Sequence, residues 1–349
     1  MSPPFFSICI PNYSRTSFLL QALDSLAAQD FRDFEICISD DVSPDNRQRE
    51  IEAWLETSGL RYRMVRQTVN LRYDANLRAA IGLASGKYCF LLGNDDALKT
   101  KSVLTQLHRA IEAEPNCGAV VTDFEDFTSG QLAGRIRQTG SRGSGPEVAA
   151  RAYRQFSFVS GIVLLCEPAQ RYATSRWDGG EMYQTYLASS IIASGHSLLE
   201  LAWPAIRKDI HIAGESVDSY AKRQRAPRWP IHPVCLPLAQ FARIAADGIA
   251  LHEPDVPSRL RLNEIIVRQL LLFTYPFWLF EYRNVQSWSY AAGVALGMRP
   301  GVITCGIELA VLARWRLRLL YVLVTLAGLL IPAACFKALR LHLYRLAKS

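Results

Sequence analysis

The chain of 349 residues has no CxxC pair and no cysteine spacing of the metal-ligand kind, although it holds eight cysteines. Most of them lie in apolar runs, at Cys9, Cys37, Cys89 and Cys335, and so read as small core side chains in a reducing compartment. The start, MSPPFFSICIPNY, lacks the basic n-region of a secretory signal and passes straight into a strand pattern. There is no internal repeat. Disorder is excluded, since half of the residues are hydrophobic. Acid is missing from the whole stretch after Glu308, where Arg314, Arg316, Arg318, Lys337, Arg340, Arg345 and Lys348 follow. The net charge of +7 is therefore uneven: residues 1–130 hold 13 Lys and Arg against 18 Asp and Glu, and residues 131–349 hold 26 against 14. The length is large for one core and suggests a large domain with an appendage.

What is present is mostly an alternation of strand and helix. FSICIP is a short apolar run closed by proline and reads as a buried parallel strand. SRTSFLLQALDSLAAQ places Phe18, Leu19, Ala22, Leu23 and Leu26 at helical spacing, with Thr16 or Ser17 as the cap. FEICISDD reads as a second strand ending in Asp40 and Asp41, and SPDNRQREIEAWLE as a helix started by Ser43 and Pro44. YRMVRQ is a third strand, YDANLRAAIGLAS a helix stopped by Gly86, and KYCFLL a fourth strand. A helix in KSVLTQLHRAIEA and a strand over 117–127 come next. Residues 128–147, rich in Gly, Ser and Arg, are expected to form a mobile surface loop. A strand over 156–166, a helix beginning near Glu181, and a strand pair or strand plus loop over 197–213 follow. From about Pro257 the pattern turns helical, and residues 319–336 run for 18 residues without a charge. That length is at the lower edge of a membrane span, Gly328 and Pro332 interrupt it, and both flanks are basic. A crossing, a re-entrant or interfacial hairpin and a buried core helix all remain open.

Such alternation predicts an α/β domain with a mainly parallel sheet, in which ligands sit outside the carboxyl ends of the strands. Three of the first four strands carry polar groups there: Asn12 and Tyr13, Asp40 and Asp41, Asp95 and Asp96. The pair in LLGNDDAL is the sharpest signal. Two carboxylates at the tip of an apolar run are costly unless a cation sits with them. Hard oxygen donors suit Mg²⁺ or Mn²⁺, which complete their shell with phosphate and water. A plain polar turn, with one Asp capping the next helix, is the competing reading of the pair taken alone. The neighbouring strand end at Asp41 favours the ion.

The stretches SICIPNYSRTSFLLQALDSLAAQDFRDFEICISDDVSPDN and NLRYDANLRAAIGLASGKYCFLLGNDDAL resemble the nucleotide-sugar half of the family-2 inverting glycosyltransferases, in their abequosyltransferase-like branch. The resemblance implies a GT-A fold: a Rossmann-like, mainly parallel sheet flanked by helices. It divides the chain into a nucleotide-sugar-binding half (1–125), an acceptor-binding half (126–256) and a helical, basic-apolar membrane-associating region (257–349). Carried onto this sequence, it puts Pro11, Tyr13 and Arg15 at the donor, with Tyr13 stacked on the base. Asp41 would bond the base edge and Asp40 support its loop. Asp95 would contact ribose or metal, and Asp96 would ligate the metal, with His211 a late ligand of metal or diphosphate. Asn76, with Arg72 or Arg78, would approach the diphosphate, whose oxygens an Arg fork suits. Glu181, in WDGGEMYQ, would be the base that takes a proton from an acceptor hydroxyl. Asp178 is its rival, and the plainer reading of Glu181 is an acid favouring a helix dipole. Ser160 and Gly161 match a place where relatives pack the acceptor. Two positions depart from the family: Ser14 stands where Asn is common, and Gly93 where a full motif has its first Asp. Both bear on how ribose is held.

The function implied is a metal-dependent inverting transfer of a hexosyl or deoxyhexosyl group. The donor would be a nucleotide sugar, the acceptor a polyprenyl-diphosphate-linked saccharide, and the product an O-antigen-like bacterial surface polysaccharide. The tail, basic and apolar together, suits an anionic membrane surface, placing the chain on the cytoplasmic face of the bacterial inner membrane. No nucleic-acid partner is expected, because the tail is too apolar for a basic-aromatic binding face. Two alternatives stand beside this. A nucleotidyltransferase would want a Gly-rich phosphate loop, and IPNYSRTS has no glycine. A non-catalytic membrane scaffold with a degenerate transferase domain draws on the loss at Gly93.

Overall fold

The computed structural model describes residues 2–215 and 231–348. β1 (Phe6–Asn12), β2 (Phe34–Asp40), β3 (Arg61–Arg66) and β4 (Tyr88–Leu91) run parallel, side by side in the order β3-β2-β1-β4. β1 and β2 are buried along their whole length, as apolar strands covered on both faces must be. Their side chains still alternate. Phe6, Ile8 and Ile10 join one core cluster, and Cys9 joins the other. Between the strands lie α1 (Thr16–Ala27), α2 (Gln48–Thr57) and α3 (Arg72–Gly82), followed by β5 (Ala97–Leu98) and α4 (Val103–Glu112). Leu19, Leu23, Ile51, Leu55, Leu104 and Leu107 put α1, α2 and α4 on the face of Phe6, while Leu77 and Ala80 put α3 on the face of Cys9.

The sheet continues through β6 (Cys117–Asp126) and β7 (Gly140–Ser141), then, after α5 (Pro146–Ala152), through β8 (Ile162–Leu165). α6 (Cys166–Arg171), α7 (Tyr183–Ala193) and β9 (Ser197–Lys208) complete it. The whole order is β3-β2-β1-β4-β8-β6-β9-β5, with β7 on β9; β8 is antiparallel to both β4 and β6. α8 (Phe241–Ala250), α9 (Val256–Gln269), α10 (Tyr275–Val285), α11 (Trp288–Gly297) and α12 (Pro300–Ile303) then share one core with α5 and α7, through Ile244, Ile266, Leu279, Val294 and Ile303. α13 (Val311–Leu330) and α14 (Ala333–Lys348) end the chain.

Several sequence expectations shift. The helix start expected at Ser43 and Pro44 lies at Gln48, because Ser43 is engaged elsewhere: its Oγ bonds Asp40 and receives the Ser14 N–H at 2.7 Å. Neither Thr16 nor Ser17 caps α1; Arg15 holds that position with φ 63°, and the Thr16 hydroxyl donates to Asp45 at 2.8 Å. Gly86 does not stop α3, which ends at Gly82. Gly86 is required where the chain presses on β1, since a Cβ there would stand 2.8 Å from Ser7 Oγ. The strand expected over 156–166 is only Ile162–Leu165, Phe156 lying in the short helical turn Tyr153–Ser157. Residues 197–213 hold one long strand followed by a loop, the second of the two arrangements expected. Cys335 is exposed rather than in the core. Gly328 does not interrupt α13; it lets the helix approach Leu279, whose Cδ2 would be 2.4 Å from an added Cβ.

Residues 128–147 are not a surface loop throughout. Ala133, Arg135 and Ile136 are buried. The fully buried Arg135 guanidinium donates to the carbonyls of Thr122 (2.6 Å), Gln155 (3.2 Å), Phe158 (2.9 Å) and Ser160 (2.9 Å). Burial pushes this guanidinium down to about 10, against the pull of the nearby Asp123.

Candidate functional site

The carboxyl ends of β1, β2 and β4 meet around one side chain, Asn12. Its Nδ2 donates to Asp40 Oδ1 at 2.7 Å, and its Oδ1 accepts from Asn94 Nδ2 at 2.8 Å. Its backbone carbonyl accepts from Asn76 Nδ2 at 3.0 Å and from the Asp41 N–H at 2.9 Å. Asn12 is fully buried, so these bonds fix the three strand ends relative to one another. Beyond it Ser14 and Arg15 adopt left-handed φ values of 59° and 63°. That bend leaves Tyr13 standing out at 47% exposure and carries the Arg15 guanidinium to Asp95. Pro11 stays inside β1, opposite Ser39.

The acid pair lies just past β4. Asp95 ion-pairs with Arg15, and its backbone carbonyl accepts the Ile210 N–H at 2.8 Å. Asp96 is 2% exposed and holds two bonds: Ser160 Oγ donates to its Oδ2, and the Asp209 N–H donates to its Oδ1 at 2.9 Å. Burial first, and then the neighbouring Asp95, pushes Asp96 up to about 8. Burial also raises Asp95. Asp209, left-handed at φ 59°, follows β9 directly and pairs with Lys208. Its charge acts on both Asp95 and Asp96. The Ser160 hydroxyl also accepts the Gly93 N–H at 2.8 Å, tying the turn before the pair to the start of β8.

These residues fit a divalent ion. The donors are hard oxygens, Asp96 is buried with Asp95 half-buried beside it, and the unfavourable charge on Asp96 is what a cation would relieve. Among the described residues no three His, Cys, Asp or Glu are grouped to hold a metal by themselves. That matches an ion that takes one or two carboxylates and fills its shell from phosphate and water. His211 is exposed and is not gathered with Asp95 and Asp96 into a three-ligand group.

The other expected residues fall into two groups. Asp41 is 2% exposed, with both oxygens engaged at the start of α3: Oδ1 accepts the Leu71 N–H at 2.6 Å, and Oδ2 the Arg72 N–H at 2.9 Å. Arg72 itself is exposed, at φ 66°. Asn76 is 2% exposed, and its Oδ1 has no hydrogen-bond partner among the described residues, an open acceptor beside Asn12. Arg78 and Asp178 bind each other in a bidentate pair, at 2.5 and 2.8 Å. Glu181 lies two residues before α7 rather than inside it, with φ 55°. Its backbone N–H donates to Asp74 Oδ2 at 2.8 Å.

Asp74, Asn94, Asp209 and Arg135 are the residues that sequence reasoning missed. Asp74 is buried on α3 and accepts three backbone N–H groups, from Gly179 (2.9 Å), Glu181 and Tyr183 (3.1 Å). It therefore caps α7 from another helix and sets the Glu181 loop against the helix turn that also carries Asn76. Asp209 had a usable signal, an acid just past a strand as at Asp41. Asp74 and Arg135 had none, because their partners lie far off in the chain.

The sequence profile of glycosyl transferase family 2 matches residues 7–165, the stretch that contains Asn12, the acid pair and Ser160. That match takes in less than half of the chain, and by it residues 7–165 are similar to a family-2 glycosyl transferase domain. Over 99 residues the chain is 40% identical to abequosyltransferase RfbV of Salmonella typhimurium, a match covering 28% of this chain and 30% of that protein. Over 133 residues it is 28% identical to the GalNAc(5)-diNAcBac-PP-undecaprenol beta-1,3-glucosyltransferase of Campylobacter jejuni, covering 38% and 43% of the two chains. The chain thus spans less than half the length of these relatives. In three dimensions it is similar to S. aureus TarS 1–349 in complex with UDP-GlcNAc, with a TM-score of 0.61, 16% identity, and coverage of 98% and 90%. It is also similar to mannosyltransferase PcManGT of Pyrobaculum calidifontis, in complex with GDP-Man and Mn²⁺, with a TM-score of 0.52, 18% identity, and coverage of 95% and 88%. The chain has the GT-A fold.

Proposed function

We propose that the chain is a metal-dependent inverting glycosyltransferase that moves a hexosyl or deoxyhexosyl group from a nucleotide sugar to a lipid-linked saccharide. The acceptor is a polyprenyl-diphosphate-linked saccharide of O-antigen-like surface polysaccharide synthesis, met at the cytoplasmic face of a bacterial inner membrane. The observation that carries this is the acid pair Asp95 and Asp96 at the carboxyl edge of a GT-A sheet, with Asp96 pushed up to about 8 by its burial and by Asp95. Support for the acceptor is the undecaprenol-linked saccharide in the Campylobacter relative's name.

Each residue then has a role. Tyr13, exposed at the rim, stacks on the base of the donor. The open Oδ1 of Asn76 accepts a hydrogen bond from it. Asp41 shapes the base pocket through the start of α3, since its carboxylate already holds two backbone N–H groups there. Asp96 and Asp95 would hold Mg²⁺ or Mn²⁺, and the ion would supply positive charge to the departing nucleoside diphosphate. Glu181 takes the proton of the acceptor hydroxyl. The oxygen attacks the anomeric carbon from the face opposite the diphosphate, which leaves with the bonding pair, so configuration inverts. Asp178 is the weaker base because Arg78 grips both of its oxygens. Glu181→Gln is expected to lower turnover by roughly 10²–10⁴-fold while nucleotide binding persists; Asp178→Asn is expected to lower it far less. Transfer from a labelled nucleotide sugar to lipid-linked acceptor checks this, and equal losses in the two variants would count against Glu181 as the base.

The scaffold reading keeps one observation on its side: Arg15 already pairs with Asp95. A cation bound at Asp96 with no nucleotide selectivity would favour it.

A further inference from the structure

α13 has two faces, and only one of them is packed. Ala313, Leu317 and Gly328 are buried against the helical layer. Trp288 Nε1 donates to the Leu329 carbonyl at 3.1 Å, and Arg283 to the Gly328 and Ile331 carbonyls at 3.0 and 2.6 Å. The opposite face is apolar and open. Leu312 (60% exposed), Trp315 (63%), Leu319 (62%), Leu323 (56%), Leu326 (50%) and Leu330 (70%) line it. At about 100° per residue these six fall within an arc of roughly 80°. Arg316 borders the arc on one side, where it also pairs with Glu264 at 3.5 Å, and Arg318 lies beyond the Trp315 edge on the other, both exposed. The Arg318 guanidinium rests over the Trp315 ring, 5.1 Å from its centroid.

We propose that this face is a membrane-docking surface on which α13 lies in the plane of an anionic bilayer, its leucines in the acyl boundary and its arginines among the headgroups. This deepens the function reading above by naming the surface that meets lipid, and it rests on observations that do not involve the acid pair. Charge decides the occupant. The chain has no acid after Glu308, so a second copy set against this face would bring arginine to arginine with no acid of either tail between them. Lipid phosphate supplies the missing sign, and a tryptophan at the edge of a leucine stripe suits the headgroup boundary. A crossing is ruled out among the described residues, since no helix is long and apolar enough. Three arginines in the first half of α13 account for that.

The arrangement also links lipid to the site. After the break at Pro332, α14 returns to the transferase domain. Lys348 Nζ donates to Ser157 Oγ at 3.1 Å, and Arg154 donates to the Leu346 carbonyl. Tyr344 of the same helix lies close enough to Lys208 and Asp209 for their charges to act on it. A docked α13 would thus hold the end of β9, beside the acid pair, at a fixed height over the bilayer.

The test is co-sedimentation of the full chain with vesicles of phosphatidylglycerol and phosphatidylethanolamine, against vesicles of phosphatidylcholine alone. Brominated lipids serve as depth probes of tryptophan fluorescence. The chain is expected to bind the anionic vesicles, with shallow quenching. Leu319→Glu combined with Leu323→Glu is expected to weaken binding by at least about tenfold, and Arg316→Gln with Arg318→Gln to remove the preference for anionic lipid. The first pair lies on the open face and the second flanks it, and both should leave any thermal shift with nucleotide sugar and Mn²⁺ unchanged, so docking and donor binding are read separately. No binding of the unaltered chain, equal binding by the Leu319→Glu/Leu323→Glu chain, or quenching at the bilayer centre would each overturn the proposal. So would a dimer in sedimentation velocity that this double substitution dissolves.

Discussion

Asp96 shows how burial turns an ordinary side chain into a binding element. In the unfolded chain its carboxyl releases a proton at the usual 3.8, whereas in the folded chain burial and Asp95 delay that to about 8. The native state therefore holds a proton that the unfolded state has lost, so without metal this residue makes the fold less stable as pH rises from 3.8 to about 8. Asp96→Asn should remove that slope and raise the melting temperature of chelator-treated protein at pH 8. If the variant melts lower than the parent there, Asp96 is not the strained group described. The acid pair was legible in the sequence, because two charges at the end of an apolar run break the pattern around them. Its surroundings were not. Ser160 and the Asp209 N–H arrive from residues 64 and 113 positions away, and no local periodicity announces such a bond. Arg15, expected at the donor, ion-pairs with Asp95; a left-handed backbone at Arg15 is not written in PNYSR.

At the scale of single elements, helix ends were less legible than helix bodies. The apolar spacing of α1 and α4 marks which face is buried, while α7 is buried all round, and the caps of all three come from distant residues or from none. Asp74 is the clearest case: it ends the Glu181 loop by taking three N–H groups ahead of α7. Asp74→Ala leaves these donors unpaired and should cost about 2 kcal/mol in chemical denaturation. Because Glu181 then loses its anchor, turnover should fall while nucleotide affinity stays; a loss of stability alone would mean that the loop keeps its place unaided. Arg135 does the same for the 156–160 turn. Arg135→Met strands four carbonyls, and a loss of about 3 kcal/mol is expected. A change below about 0.5 kcal/mol would mean that water replaces the guanidinium. Composition misled at this position, since Gly, Ser and Arg mark loops on average and say nothing of one arginine turned inward.

For the whole molecule, the parallel half of the sheet, β1 to β4, was readable as a run of short strand-helix units, while the antiparallel insertion of β8 between β4 and β6 was not. Nothing in IVLL distinguishes a strand that enters from the other direction. The tail was half legible. Its charge and apolar content pointed to lipid, and the structure adds that α8 to α12 are packed into the common core, which leaves the open apolar arc to α13. The account joins these parts into one claim, that a divalent ion and a nucleotide sugar meet at Asp95 and Asp96. The most direct measurement is the melting temperature of the full chain against UDP-, GDP-, dTDP- and CDP-sugars, each with Mn²⁺, with chelator, and in the Asp96→Ala variant. The account predicts a rise with one nucleotide class, dependent on Mn²⁺ and absent in the variant; a chain that responds to none of them, or equally well with chelator or in Asp96→Ala, would contradict it.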